Sequence, residues 1–363
     1  MTFDRERRSG LAAATAAAIL AFGVTGTARS ADLDAGRKTF ESVCAACHGI
    51  SGRPDPGNAA VKALGRQPAD LSDPLFNSRE PASDWNIVVT HGGPALGLSA
   101  VMPPQGAALS PEAIRDVVAY AKTLASGSDR YPPGELNFFL PVRTKKAFPE
   151  DEVVWKGRVT VRDGENVWRN VLELEKRFGR RSMGVVEVTH EDDGVDREIT
   201  KVEAGAKTVL HWNVDRQSIL SGALIVAVPT DSEESEEVIP YLAYGKRLAG
   251  QATFQSSARV IVPVDETDAG EVELAGVVHY QWMQKARAAF PALEVTASVP
   301  FDADGGDSVQ WTVLPQFRLG LTKGGHVALA FGVEIPLSDQ SWDTRYHMNV
   351  LWDFADGSLF MGW

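Results

Sequence analysis

The chain has no excess of basic residues. Its 36 Lys and Arg stand against 48 Asp and Glu, a net charge of -12, which argues against nucleic acid as a partner. There is no Ser-His-Asp set, phosphate loop or nucleotide fingerprint, and none of the histidines of the C-terminal half falls in a His-x-x-x-His spacing. A long hydrophobic run is also missing. Leu11 to Val24 is about 14 residues, short of the ~20 that a spanning helix needs. Arg5, Arg7 and Arg8 precede that run, and small residues around Ala28, Ser30 and Ala31 follow it. This is the layout of an export signal over residues 1–30. The chain is therefore expected outside the inner membrane.

Cysteine is the scarcest informative residue. An exported protein with two cysteines ordinarily makes one disulfide. Here they lie three apart with a histidine directly after, as Cys44-Ala45-Ala46-Cys47-His48. Two thiols at this spacing can add to the two vinyl groups of haem, and the next residue presents an imidazole to the iron from the same face. Asp34 to Ala46 is expected to be helical, with Gly36, Phe40, Val43 and Cys47 recurring along it. Ser110-Pro111-Glu112 is a helix start, with an N-cap, a first-turn proline and an acid at the positive dipole end. Ile114, Val117, Val118, Ala121 and Leu124 line one face of that second helix.

With these motifs, residues 31–127 resemble a class I cytochrome c domain, in which the first and last helices cross. Gly36, Phe40 and Tyr120 stand where that family places its small and aromatic crossing residues. The resemblance implies one covalent haem c held by Cys44 and Cys47, with His48 as an axial iron ligand. Met102 is the only methionine between the signal and residue 183, and Pro103 and Pro104 follow it. The family's distal ligand sits in such a loop, which makes Met102 the expected second axial ligand. His91 is the competing ligand, and an open site is the third possibility. With both axial positions filled the iron has no room for substrate, so the resemblance implies an electron carrier and not an enzyme.

Residues 128–150, from Tyr131-Pro132-Pro133-Gly134 to Pro149, have the punctuation of a linker. Beyond them the period becomes two. In Val309 to Leu321, Val309, Trp311, Val313, Pro315, Phe317, Leu319 and Leu321 share one face, while Gln310, Thr312, Gln316 and Arg318 share the other. In Lys201 to Trp212, Val202, Ala204, Ala206, Leu210 and Trp212 oppose Lys201, Glu203, Lys207 and His211. Val272 to Trp282, His326 to Leu337 and Thr344 to Phe354 behave alike. The expected architecture over residues 151–363 is an all-β antiparallel barrel of about 10–12 strands.

Runs of 11 to 13 residues exceed the soluble mode of ~5–6 and suit a tilted membrane strand. Trp212, Tyr280, Trp282, Trp311 and Trp352 near strand ends fit interfacial girdles. The terminal Trp363 resembles the assembly signal of outer-membrane barrels, although the Asp356-Gly357 turn is not at the usual offset. A soluble β domain is the alternative. Asp302 to Asp307 is expected to be a hairpin turn and not a calcium loop. The acidic run from Asp231 to Glu237 is expected to be a solvated loop. The whole is expected to be a periplasmic haem electron-transfer protein with redox protein partners, tethered to an outer-membrane barrel that meets lipid. The alternatives are a redox subunit of an exported enzyme, and a transport barrel with a haem sensor.

Overall fold

A computed structural model describes residues 30–162, 165–230, 235–248, 251–265, 269–282, 289–301, 308–355 and 359–360. The export segment before residue 30, the Asp302–Asp307 turn, residues 231–234 of the acidic run, the Asp356-Gly357 turn and Trp363 lie outside those residues.

The helical part begins with α1 (Leu33–Thr39), whose end widens into a π-turn (Phe40–Cys44) before α2 (Ala45–His48). Asp32 caps α1, its carboxylate accepting from the Asp34 and Ala35 amides at 3.1 and 3.0 Å. Three short helices follow: α3 (Ala59–Ala63), α4 (Pro74–Arg79) and α5 (Ala82–His91). The last, α6 (Pro111–Lys122), starts as its sequence requires, with Ser110 Oγ accepting from the Ala113 amide at 3.2 Å. α1 crosses α6 at Gly36. A Cβ there would lie 2.1 Å from the Asp116 carbonyl oxygen, so only glycine permits this approach. Phe40 then packs on Tyr120, ring centroids 5.6 Å apart. Phe40, Leu71, Val117 and Ala121 form the buried centre.

Twelve antiparallel strands close into a barrel in simple neighbour order, β1 pairing with β12. They are β1 (Glu152–Arg162), β2 (Glu165–Phe178), β3 (Ser182–Asp192), β4 (Arg197–Asn213), β5 (Ser218–Pro229) and β6 (Glu237–Arg247), then β7 (Ala252–Pro263), β8 (Gly270–Tyr280), β9 (Ala289–Phe301), β10 (Gln310–Gly320), β11 (Val327–Pro336) and β12 (Thr344–Asp353). This matches the expected all-β barrel at the upper end of its strand count. The last described residues beyond Asp353 add no strand. An eleven-residue strand rises about 36 Å and, tilted about 45°, covers about 25 Å, the height of a lipid-facing band. No helix among the described residues is long and apolar enough to cross a membrane, which does not bear on the barrel.

The barrel is apolar outside and polar inside. Leu172, Leu174, Leu210, Leu224, Leu242, Leu274, Phe317 and Met348 are exposed on the outer face, while Glu152, Lys207, Gln255, Glu294 and Glu334 are buried. One departure from strict alternation is instructive. A bulge between Val209 and His211 shifts the β4–β5 register, which exposes His211 and leaves Trp212 half-buried under Arg181, 4.3 Å from its guanidinium. The expected faces of these two residues are thereby exchanged, as a one-residue insertion requires.

The linker is not a free tether. Residues 137–150 enter the barrel and occupy its lumen, bonding to inward side chains from all round the wall. Gln255 Nε2 donates to the Phe139 carbonyl at 2.7 Å, Lys207 Nζ to the Lys146 carbonyl at 2.9 Å, and Ser221 Oγ to the Ala147 carbonyl at 2.5 Å. Lys145 pairs with Glu187 at 3.0 Å. Arg143 bridges Glu273, at 2.5 Å, and Glu334. Glu294 receives the Arg143 and Thr144 amides and the Thr144 hydroxyl. The space left between this plug and the β1–β6 wall is about 30 Å³, room for about two waters. Leu136, Phe138 and Phe148 share a buried apolar cluster inside the barrel with Met183, Val209, Ile219, Ile239 and Tyr241.

Candidate haem site

Cys44 closes the π-turn and Cys47 and His48 complete α2, so the three reactive groups follow one another around a single local coil. Both cysteines are free and half-buried. Burial, and then the neighbouring Cys47, push the Cys44 thiol up to about 11, which keeps it protonated at neutral pH. Its flank is the apolar cluster: Cys44 and Ala45 pack at the edge of Phe40, Leu71, Val117 and Ala121, with Phe76, Trp85 and Val89 nearby. His48 Nδ1 lies 3.1 Å from the Ala69 carbonyl oxygen. That bond favours the tautomer with the proton on Nδ1 and leaves the Nε2 lone pair free to ligate. Burial holds the imidazole below its ordinary value, so it is neutral and able to ligate. Two free thiols, a fixed imidazole and an apolar flank fit a covalent haem.

Met102 and His91 are separated by their surroundings. His91 ends α5 and is exposed, whereas Met102 is half-buried. Gly92 has a φ of +82° and turns the chain sharply. The Gly93 amide then donates to the Met102 carbonyl at 3.0 Å. A Cβ on Gly93 would stand 2.2 Å from the Ser99 carbonyl oxygen. The two glycines therefore fold the Met102 loop back over the end of α5. The sequence segment around His91 serves to seat Met102.

The histidines of the barrel half do not assemble a site. His190 and His211 face outward or are exposed, and His279 is buried in the lumen. His326 bonds Thr322 at 3.1 Å and His347 bonds Glu334 at 2.9 Å. No group of three or more His, Cys, Asp or Glu that could hold a metal ion is found among the described residues.

The helical domain sits against the barrel mouth that carries the even-to-odd turns, where β1 and the plug begin. The Ala82 amide donates to Glu135 at 2.9 Å. A Cβ on Gly134 would lie 2.0 Å from the Arg79 carbonyl oxygen, so the chain is packed closely at this seam. Lys122 donates to the Asn77 carbonyl at 2.6 Å and to that of Glu80, with its ammonium 4.5 Å from the Trp85 ring centroid. Asp84 is pushed up to about 6, first by burial and then by the charge of Glu80. The turn after β10 approaches the loop that carries Met102: a Cβ on Gly324 would be 3.1 Å from the Leu96 carbonyl oxygen. A cavity of about 190 Å³ lies in the seam, lined by both parts of the chain.

Residues 31–120 match the family model described as cytochrome c oxidase, cbb3-type, subunit III, and they constitute a cytochrome c domain. That domain implies haem c and fits the Cys44 and Cys47 motif. No curated protein matches the chain. Similar solved structures include the KdgM porin, at 13% identity and a TM-score of 0.39, covering 55% of this chain and 98% of that one. The NanC porin is similar at 11% identity and a TM-score of 0.43, covering 55% and 98%. An outer-membrane channel from Pseudomonas putida F1 is similar at 13% identity and a TM-score of 0.43, covering 59% and 99%.

Proposed function

We propose that the chain is an exported electron carrier: a cytochrome c domain fixed at the periplasmic mouth of its own outer-membrane barrel. Cys44 and Cys47 would hold haem c through thioethers, and His48 and Met102 would bind its iron. Haem c supplies reversible one-electron chemistry when bound. The protein's part is to orient His48 through Ala69, to seat Met102 through Gly93, and to keep water from one flank with Phe40, Leu71 and Trp85. A thioether opposite an imidazole raises the reduction potential relative to two imidazoles.

The observation that carries this reading is the meeting of two opposite surfaces in one chain. The half-buried Cys44-Cys47-His48 site borders an apolar helical core, and next to it stands a closed barrel whose exposed side chains are apolar. Such an outer face suits lipid, and a polar interior suits an outer-membrane barrel. The plug supports an anchor over an open pore, since the segment that joins the halves fills the lumen. The tether holds the haem near the membrane at a high effective concentration for a periplasmic redox protein.

The site is tested by haem staining and spectroscopy of the exported chain. Replacing Cys44 and Cys47 with alanine should abolish covalent haem; retained covalent haem would overturn the assignment. Met102→Ala should remove the weak sulfur-to-iron band of the oxidised spectrum and lower the potential. The same loss in His91→Ala, with Met102→Ala unchanged, would transfer the ligand to His91.

A further inference from the structure

Above the plug, toward the rim away from the cytochrome domain, the lumen holds a guanidinium with no ion pair of its own among the described residues. Arg158 lies on the inward face of β1, between the buried Val154 and Thr160. In register it is directly opposite Arg169 of β2 on one side and His347 of β12 on the other. Arg345 lies two residues nearer the rim on β12. Directly opposed side chains stand about 5 Å apart at Cβ, and like charges there repel.

Three carboxylates of this wall, Glu334, Glu191 and Glu273, are already engaged. Glu334 bonds His347 at 2.9 Å, pairs with the plug's Arg143, and lies 3.8 Å from Arg345. Glu191 pairs with Arg169 at 3.2 Å. Glu273 is shared between Arg143 and Arg259, the latter at 3.1 Å. Arg158 makes no hydrogen bond or ion pair among the described residues, and the Nε atoms of Arg158 and Arg345 are both buried without a partner. A cation withdrawn from water requires compensation.

We infer that Arg158, Arg169 and Arg345 form a binding site for a small dianionic oxyanion entering from the rim. Guanidinium groups match oxyanions through paired N–H donors, and two unused Nε–H groups face this problem at once. Entry is open on one side, where Arg169 and Glu191 keep about a third of their side-chain surface exposed. The plug contributes to the site. Arg143 draws on Glu334 and Glu273, the carboxylates that would otherwise neutralise the wall, so the positive surplus exists while the plug is seated.

The test is equilibrium dialysis of the full haem-loaded chain in detergent against radiolabelled sulfate, with ionic strength held constant by chloride. One saturable sulfate per chain is expected. Arg158→Gln should weaken binding at least tenfold and Arg158→Glu should abolish it, with haem absorbance and heat-modified gel migration unchanged. Arg169→Gln, at the more exposed neighbour, repeats the test if Arg158 variants fail to fold. Arg143→Gln should also weaken binding, by freeing the two carboxylates. Absence of saturable sulfate binding in the parent chain, or binding unchanged in Arg158→Gln and Arg169→Gln, would overturn the site.

Discussion

In the helical domain Phe40, Leu71, Val117 and Ala121 are inside and the charges of Arg37, Glu41, Glu112 and Arg115 are at the surface. In the barrel the order is reversed: Glu152, Lys207, Glu294 and Glu334 are inside, and Leu172, Leu242 and Leu274 are outside. One chain thus carries two opposite distributions of polarity. The first arrangement gains from removing apolar surface from water. The second has most of its inner charges paired with one another and with the plug, and an apolar outer surface of the kind that suits lipid. The same kind of substitution should therefore have opposite consequences in the two halves.

The largest contrast is expected from removing a buried group in each. Phe40→Ala should cost about 3–5 kcal/mol in the haem domain, read as an earlier thermal loss of the haem spectrum while the barrel still migrates as folded. In the barrel, Arg143→Ala removes the partner of Glu273 and Glu334 and should cost about 3–5 kcal/mol. It should also loosen the plug, and single-channel recording in planar bilayers should then show conductance that the parent chain lacks. Equal, low conductance in both would mean that the plug is held by its apolar layer alone.

An arginine on the outer face should be penalised where a water-exposed surface would accept it. Leu242→Arg, in the middle of β6, should cost about 2–4 kcal/mol in lipid vesicles, measured by urea unfolding. Little change would place that face in water. Gly36→Ala should cost about 1–3 kcal/mol, since the new methyl meets the Asp116 carbonyl and the crossing helices must part. Differential scanning of the haem domain's transition checks it.

The smallest effect concerns pH. Asp84 has its folded pKa raised to about 6, above the ordinary aspartate value of 3.8. The folded state holds the proton more tightly, so stability falls as pH rises from about 4 to about 6 and is level above that. Asp84→Asn should remove this slope and raise stability at pH 7 by on the order of 1 kcal/mol, measured by denaturation at pH 4 and pH 7. An unchanged slope would assign it to other groups.

What the sequence discloses depends on how local the cause is. The Cys44-Cys47-His48 motif, the Ser110 cap and the Gly36 crossing act within a few residues or through one small residue, and all were legible. The alternation of Val202, Ala204 and Ala206 against Lys201, Glu203 and Lys207 was legible too, because a strand has period two. The bulge after Val209 was not, since nothing in Leu210-His211-Trp212 marks an insertion against β5. The plug was the larger omission. Arg143, Thr144, Lys145 and Lys146 have the composition of a linker, and their partners Glu187, Glu273, Glu294 and Glu334 stand on strands far along the chain. Only the closed lumen brings these charges together. The role of Gly92 and Gly93 in seating Met102 was likewise hidden, because it is a contact between loop backbones.

The central claim is that a haem-bearing domain and a lipid-facing barrel are one covalent unit. Fractionation of the exporting cell, followed by haem staining, tests it most directly. The account predicts a single haem-stained chain in the outer-membrane fraction that resists carbonate extraction, requires detergent for release and shifts its gel migration on heating. Recovery of the intact haem-stained chain in the soluble periplasm without detergent would contradict it.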